Sequence, residues 1–416
     1  MKSNHFQVRA WISYDIGNSA FSTTVVAGFF PIFFKQYWSQ GIDVETSTLL
    51  LGLANGFASA CIALASPFLG AIADRSSSKR KFLILFTLLG VLATFVLGFL
   101  SQGSWKQAVL LYMVANLGFA GGVLFNDAYL VDIVEKSKMH ITSIQGYAAG
   151  YLGGGFLLVV NVLMYQKPEV FGMSSSIIGI QASFMTVAVW WLMFTLPSIF
   201  AFKDKKEDLD VSAHSVTRSL MMTAKDIYKS YDLKLFLMAY WIYIDGIGTV
   251  IKMAVDYGMA IGFAASDLVG ALILTQFVGF PAAILFGKLG DRFGAKQAII
   301  FGLCVYTGIS FYSYTVKSHL DFYVIAALIG CVQGGVQALS RSLFALFVPK
   351  EKSAEYFGFF NLTGRFAAVL GPVVIGVVSA TTHSPRLSIL SISVFFILGI
   401  MLLWNVKVPS MEDARS

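Results

Sequence analysis

Gly287-Lys-Leu-Gly-Asp-Arg-Phe-Gly-Ala-Lys296 lies between two long apolar stretches and decides the fold. An earlier version reads Gly70-Ala-Ile-Ala-Asp-Arg-Ser-Ser-Ser-Lys-Arg-Lys81. Their acid–base pairs, Asp74-Arg75 and Asp291-Arg292, stand 217 positions apart in a chain of 416 residues. A charged hairpin that recurs after half the chain, each time between apolar segments, marks a duplicated membrane protein. Gly70, Gly287 and Gly294 allow close approach and a tight turn, and Arg75, Arg80 and Arg292 anchor that turn at the cytoplasmic surface. Ser77 occupies the place of Gly294 in the earlier copy.

Composition agrees. Hydrophobic residues make up 56% and charged residues 13% of the chain, with a mean hydropathy of +0.72. Soluble domains carry about 25% charge, so the chain reads as an integral membrane protein. At about 20 residues per span, its length holds about a dozen helices and no sizeable soluble domain. The start, MKSNHFQVRAW, shows no cleavable leader, so the first span is expected to stay. Cys61, Cys304 and Cys331 fall in apolar stretches without ligand spacing and read as core residues. The net charge of +7 comes from basic residues in alternate loops, a membrane-orientation pattern that needs no nucleic acid.

Apolar runs place spans at 11–38, 47–73, 82–101, 106–131, 141–165 and 176–201, then at 233–260, 264–287, 297–316, 320–347, 355–380 and 387–406. The expected organisation is a bundle over 1–201, a linker over 202–232, a bundle over 233–406 and a tail over 407–416. The linker carries an amphipathic stretch from Ser219 to Tyr228, suited to lying at the interface. Loops on one side hold only Lys35, Lys106, Lys167, Lys317 and Arg386, which puts both termini in the cytoplasm. The halves also echo one another in Trp11-Ile-Ser-Tyr-Asp15 and Trp241-Ile-Tyr-Ile-Asp245.

The G-x-x-x-D-R-x-G-x-[KR] hairpin resembles the loop signature of the major facilitator superfamily. Three further stretches resemble one branch of it, named for the autophagy-related vacuolar amino-acid effluxers and rich in bacterial members. They are Trp11-Ile-Ser-Tyr-Asp-Ile-Gly-Asn-Ser-Ala-Phe21, Gly146-Tyr-Ala-Ala-Gly-Tyr-Leu-Gly-Gly-Gly155 and Gly334-Gly-Val-Gln-Ala-Leu-Ser-Arg-Ser342, the last followed by Pro349, Phe357-Gly-Phe-Phe360 and Gly371-Pro372. The resemblance implies an all-α fold of about twelve transmembrane helices, in two six-helix bundles related by pseudo-two-fold symmetry. Spans one, four, seven and ten would then line a cavity for a small solute. One departure is Arg365, where lysine is expected; the charge is kept, but the two cations bind anions differently.

Ionisable residues inside spans are functional candidates by default. Asp15, beside Asn18, could carry a proton or contact an amino group. Asp245, Lys252 and Asp256 share a stripe of span seven, with Asp245 deepest; it is a candidate for proton coupling or solute contact. Lys252 could hold a carboxylate or pair with Asp256 as an outer gate. Arg341 and Arg365 are the remaining cations, and an Asp127–Arg341 bridge is expected to close the cytoplasmic end. Asp132 is expected to pair with Arg75 or Arg80 at the surface. Asn361, Gln276 and Gln337 complete a polar wall, though such residues also glue membrane helices together.

Phosphate-loop, zinc-protease and nucleophile-elbow motifs are absent, so neither an enzyme nor a cofactor or metal site is expected. The leading reading is a secondary carrier of an amino acid or other carboxylate, coupled to H+ and working by alternating access. A single chain suffices, embedded in the lipid bilayer of a bacterial inner membrane. An exporter of lipophilic cations and a non-transporting receptor on the same fold are the alternatives.

Overall fold

Hydrocarbon offers no hydrogen-bond partners, so each apolar run must satisfy its own backbone as a helix. The computed structural model describes residues 5–42, 44–204, 212–260, 265–367 and 370–409. Side chains at 44–49, 51–55, 252–257, 259–260, 265–266, 372, 380 and 385 lie outside the described set. Lys252 and Asp256 are therefore outside the described residues. The described residues are helical, without strands.

The first half comprises span one (His5–Trp38), two (Val44–Arg75), three (Lys79–Leu97), four (Trp105–Ile133), five (Met139–Gln166) and six (Ser176–Ala201). The linker helix, Ala213–Lys229, follows. The second half has span seven (Tyr231–Ala260), eight (Ala265–Phe293), nine (Ala295–Tyr314) and ten (His319–Phe347). Span eleven is described as Ser353–Ala367 and Leu370–Thr382, and span twelve as Pro385–Ser391 and Ser393–Trp404. Ten of these helices are long and apolar enough to cross a membrane. The layout is two six-helix bundles. Span one begins at His5 rather than at residue 11, and its C-terminal half winds as π-helix over Phe21–Phe29 and Phe34–Trp38 around Pro31.

Span two packs on the first part of span eleven, and span five packs on spans eight and ten. These contacts join the bundles, and spans two and eleven meet backbone to backbone toward the end that carries the two charged hairpins and the linker helix (hereafter the linker face). A Cβ added at Gly70 would sit 2.1 Å from the Ala354 carbonyl oxygen, and one at Gly358 would sit 2.6 Å from that of Ser66. Only glycine permits this approach.

The hairpins show why the second copy keeps its glycine. Gly294 adopts φ 91°, and Ser77, its counterpart, is driven to φ 50°. The turn demands the left-handed region at this position whatever residue fills it.

Candidate functional site

Arg341, on span ten, reaches across the bundle interface into a pocket made by the first half. Nη1 donates to Asp15 Oδ2 at 3.2 Å and to Asp127 Oδ1 at 2.9 Å. Nη2 donates to Asp15 Oδ2 at 3.2 Å and to the Ser143 carbonyl at 3.0 Å, while Nε donates to Ser143 Oγ at 2.9 Å. The guanidinium lies between the Trp11 ring at 4.5 Å and the Tyr147 ring at 4.6 Å. Asn126 Nδ2 donates to Asp15 Oδ1 at 3.2 Å, and Trp11 Nε1 donates to the Asn126 carbonyl at 2.6 Å. Only arginine supplies five donors in a planar fork with faces that stack on aromatics. Arg341, Asp15 and Asp127 are only 5–7% exposed.

Every acceptor on Arg341 belongs to the first half, and the cation itself belongs to the second. The sequence placed Asp127 opposite Arg341, and the two form a direct ion pair. Asp15 and Ser143 join them. Ser143 carried no signal of its own, being one hydroxyl among many, and its Oγ also donates to the Ala338 carbonyl at 2.7 Å.

A second charged cluster lies nearer the linker face. Asp74 accepts from the backbone N–H groups of Ala354 (3.2 Å) and Glu355 (2.8 Å), capping the start of span eleven. Lys79 pairs with Asp74 at 3.1 Å and Asp132 at 2.8 Å, and donates to Ser353 Oγ at 2.5 Å. The partner of Asp132 is thus Lys79, correcting the expectation of Arg75 or Arg80. Arg80 follows Lys79 by one helical step of about 100° and turns to the other side. There its Nε donates to the Ile199 carbonyl and its backbone N–H to Asp204, both at 2.8 Å. In the second copy Asp291 and Arg292 are exposed, and Arg292 lies over Phe293 at 5.2 Å. Gly287 faces Ile144 of span five.

The linker helix closes over this region. Ser219 donates to the buried Glu355 at 2.9 Å, Lys352 donates to Thr223 at 3.1 Å, and Val216 and Leu220 pack on Ala71.

Past the Arg341 cluster, two adjoining cavities of about 190 and 290 Å³ lie between the bundles. The first reaches from Asp127, Tyr147 and Arg341 to Asn361 and Arg365. Both cavities share Tyr240, Ile244, Gln337, Gly364 and Arg365, and Ser59 joins the second. Arg365 Nε donates to Asn361 Oδ1 at 3.4 Å. Among the described residues no carboxylate pairs with Arg365. Among the described residues the cavity therefore holds a guanidinium with no carboxylate in contact, beside aromatic walls, a setting suited to a carboxylate.

The structure thus gathers Asp127, Arg341, Arg365, Asn361 and Gln337 around one space, with Asp15 directly behind them. Asn18 is buried in span one near Asp15. Gln276 packs against Gly155 between spans eight and five, outside the cavity walls. Asp245 is buried, accepting from the Gly371 N–H at 2.9 Å and from Thr249 at 3.4 Å, and it is not on either wall.

The profile of a family described as "Vacuole effluxer Atg22 like" matches residues 40–143 and 135–415. An uncharacterized MFS-type transporter, YxiO of Bacillus subtilis (strain 168), is 36% identical, with 99% of this chain and 97% of that protein covered. Autophagy-related protein 22 of Kluyveromyces lactis is 23% identical, over 98% of this chain and 95% of its own. Among solved structures, the human organic anion transporter MFSD10 (TETRAN) superposes with a TM-score of 0.76 at 12% identity, covering 97% of this chain and 100% of that one. The transporter FucP in its outward conformation gives a TM-score of 0.69 at 14% identity, covering 97% and 98%.

Proposed function

The chain belongs to the Atg22-like branch of the major facilitator superfamily, and from that premise we propose that it carries a small carboxylate-bearing solute, an amino acid or another organic acid, across the membrane by alternating access coupled to H+. It is an integral membrane transporter and not an enzyme. The observation that carries the substrate class is Arg365: a half-buried cation without an acidic partner among the described residues, on the wall of a cavity between the two bundles. A solute carboxylate supplies the missing charge, and Asn361, Gln337 and Tyr240 shape the rest of the site.

The linker face is cytoplasmic in this reading, so the chain stands closed to the cytoplasm. Arg341 with Asp15 and Asp127, together with Asp74 and Lys79, form the contacts that must break for solute to pass. The halves 1–201 and 233–406 are the bodies that rock, the Lys252–Asp256 pair is an outer gate, and Asp15 and Asp245 are the proton-coupling candidates read from the sequence. A bacterial inner membrane is the proposed location, with both termini inside.

Thermal stability in detergent tests the substrate class. The probes are 4-methylpentanoate, leucine (the same skeleton with an amino group) and tetraphenylphosphonium. A ligand at a hundredfold its Kd stabilises the folded state by about 2.7 kcal/mol. A rise in Tm with either acid, lost in Arg365→Gln, is the expected result. A rise with tetraphenylphosphonium alone, kept in Arg365→Gln, would overturn the proposal in favour of cation export.

A further inference from the structure

Four buried or half-buried charges surround the closed end and the cavity beyond it: Asp15, Asp127, Arg341 and Arg365. Among the described residues they form a balanced set of two acids and two cations. The balance is divided unequally, however. Arg341 serves both acids, whose bonded oxygens are at most about 6 Å apart because one nitrogen, Nη1, donates to each. Arg365 serves neither by contact. It balances the second acid only through the field across the cavity that Asp127 and Arg365 both line.

A carboxylate arriving at Arg365 cancels that field. Two anions then remain on one guanidinium, both carboxylates buried, where an uncompensated charge is costly. Asp127 is the acid that meets the cavity; Asp15 lies behind it, held by Asn126 and Arg341. We propose that Asp127 takes up one proton when a carboxylate occupies Arg365, and that this proton releases Arg341 and opens the linker face. This proposal rests on the carrier reading above and names its coupling site.

The proton comes from the water that admits the solute and lands on a carboxylate oxygen of Asp127. The ion pair from Arg341 Nη1 to Asp127 Oδ1 is lost with it. Arg341 keeps Asp15 until the bundles separate, when the acids stay with the first half and the cation leaves with the second.

Other titratable groups face the pair and bound the test. Tyr14 from span one bonds Thr87, Tyr147 from span five stacks on Arg341, and Tyr240 from span seven lines the cavity. His140, about a turn before Ser143 on span five, bonds Ser342.

The test needs no ligand, because Arg365→Gln removes the same charge that a bound carboxylate cancels. Spin labels at Lys138→Cys and Lys350→Cys, with Cys61, Cys304 and Cys331 replaced by serine, report the width of the linker face. Distances are measured in lipid nanodiscs from about pH 8 to about pH 5. A state that binds one more proton gains up to about tenfold in population per unit fall in pH. Arg365→Gln is expected to open on acidification with that slope, wild type to stay closed across the range, and Arg365→Gln with Asp127→Asn to lose the pH dependence. Arg365→Met serves as a second neutral replacement if the glutamine variant does not fold.

No pH dependence in Arg365→Gln would overturn the proposal. So would a pH dependence that survives Asp127→Asn, or wild type opening as readily as the variant. The carrier reading stands or falls separately on whether 4-methylpentanoate or leucine stabilises wild type but not Arg365→Gln.

Discussion

Replacing Asp74 with asparagine probes what holds the linker face shut. The carboxylate accepts two backbone N–H groups at the start of span eleven and pairs with Lys79, and its side chain is only 4% exposed. Asparagine keeps one acceptor oxygen but loses the charge. A capping interaction contributes about 1 kcal/mol, and an anion at a partly buried helix N-terminus contributes up to about 2 kcal/mol. Lys79 retains Asp132, so the full cost of stranding a buried cation does not apply. The closed state should therefore lose about 2–3 kcal/mol, which is roughly a 30- to 150-fold shift toward opening. Ser342, fully buried between spans ten and five, is the reporter position. In Ser342→Cys, with the native cysteines replaced, a membrane-impermeant maleimide applied from the linker face labels only the open state. Labelling in Asp74→Asn should be faster by that ratio. A change below about threefold would refute the reasoning. So would an equal acceleration in Asp291→Asn, because Asp291 is exposed and makes no such cap among the described residues.

Gly70→Ala puts a Cβ 2.1 Å from the Ala354 carbonyl, so spans two and eleven must part by more than about 1 Å; labelling at Ser342→Cys should rise and Tm should fall. Arg341→Ala strands two buried carboxylates and should cost about 3–5 kcal/mol, read as a large loss of Tm. Exchanging Asp127 and Arg341 restores the sign of the pair but leaves no donor for Ser143, so stability should recover only in part; complete recovery would show that the Ser143 bonds contribute little. Ser219→Asp sets a carboxylate against Glu355 where a hydroxyl donated at 2.9 Å. The linker helix should detach, and faster hydrogen exchange confined to 213–229 would register it.

The membrane class, the dozen spans, the duplication and the charged hairpins were legible because each rests on a local property. An apolar run must become a helix in lipid, and a charged turn with a glycine must sit at its end. The left-handed turn follows from the same local logic, even where Ser77 has replaced the glycine. Matching positions in the two halves also pointed to Asp127 and Arg341, which do meet.

What the sequence left open was how each helix is rotated about its axis. Asp15 and Asp245 end similar pentapeptides that share three of five residues, yet Asp15 meets a cation from the other bundle, while Asp245 faces Gly371 within its own. The leading tryptophans part in the same way: Trp11 is buried beneath Arg341, and Trp241 is 37% exposed. A step of about 100° per residue likewise sends Lys79 to Asp132 and Arg80 to Ile199. Hydrophobic length and turn chemistry are fixed by neighbours along the chain. Which further charges meet is fixed by packing between helices far apart in it, so only the tertiary structure could add Asp15 and Ser143 to the Asp127–Arg341 pair and leave Arg365 facing the cavity.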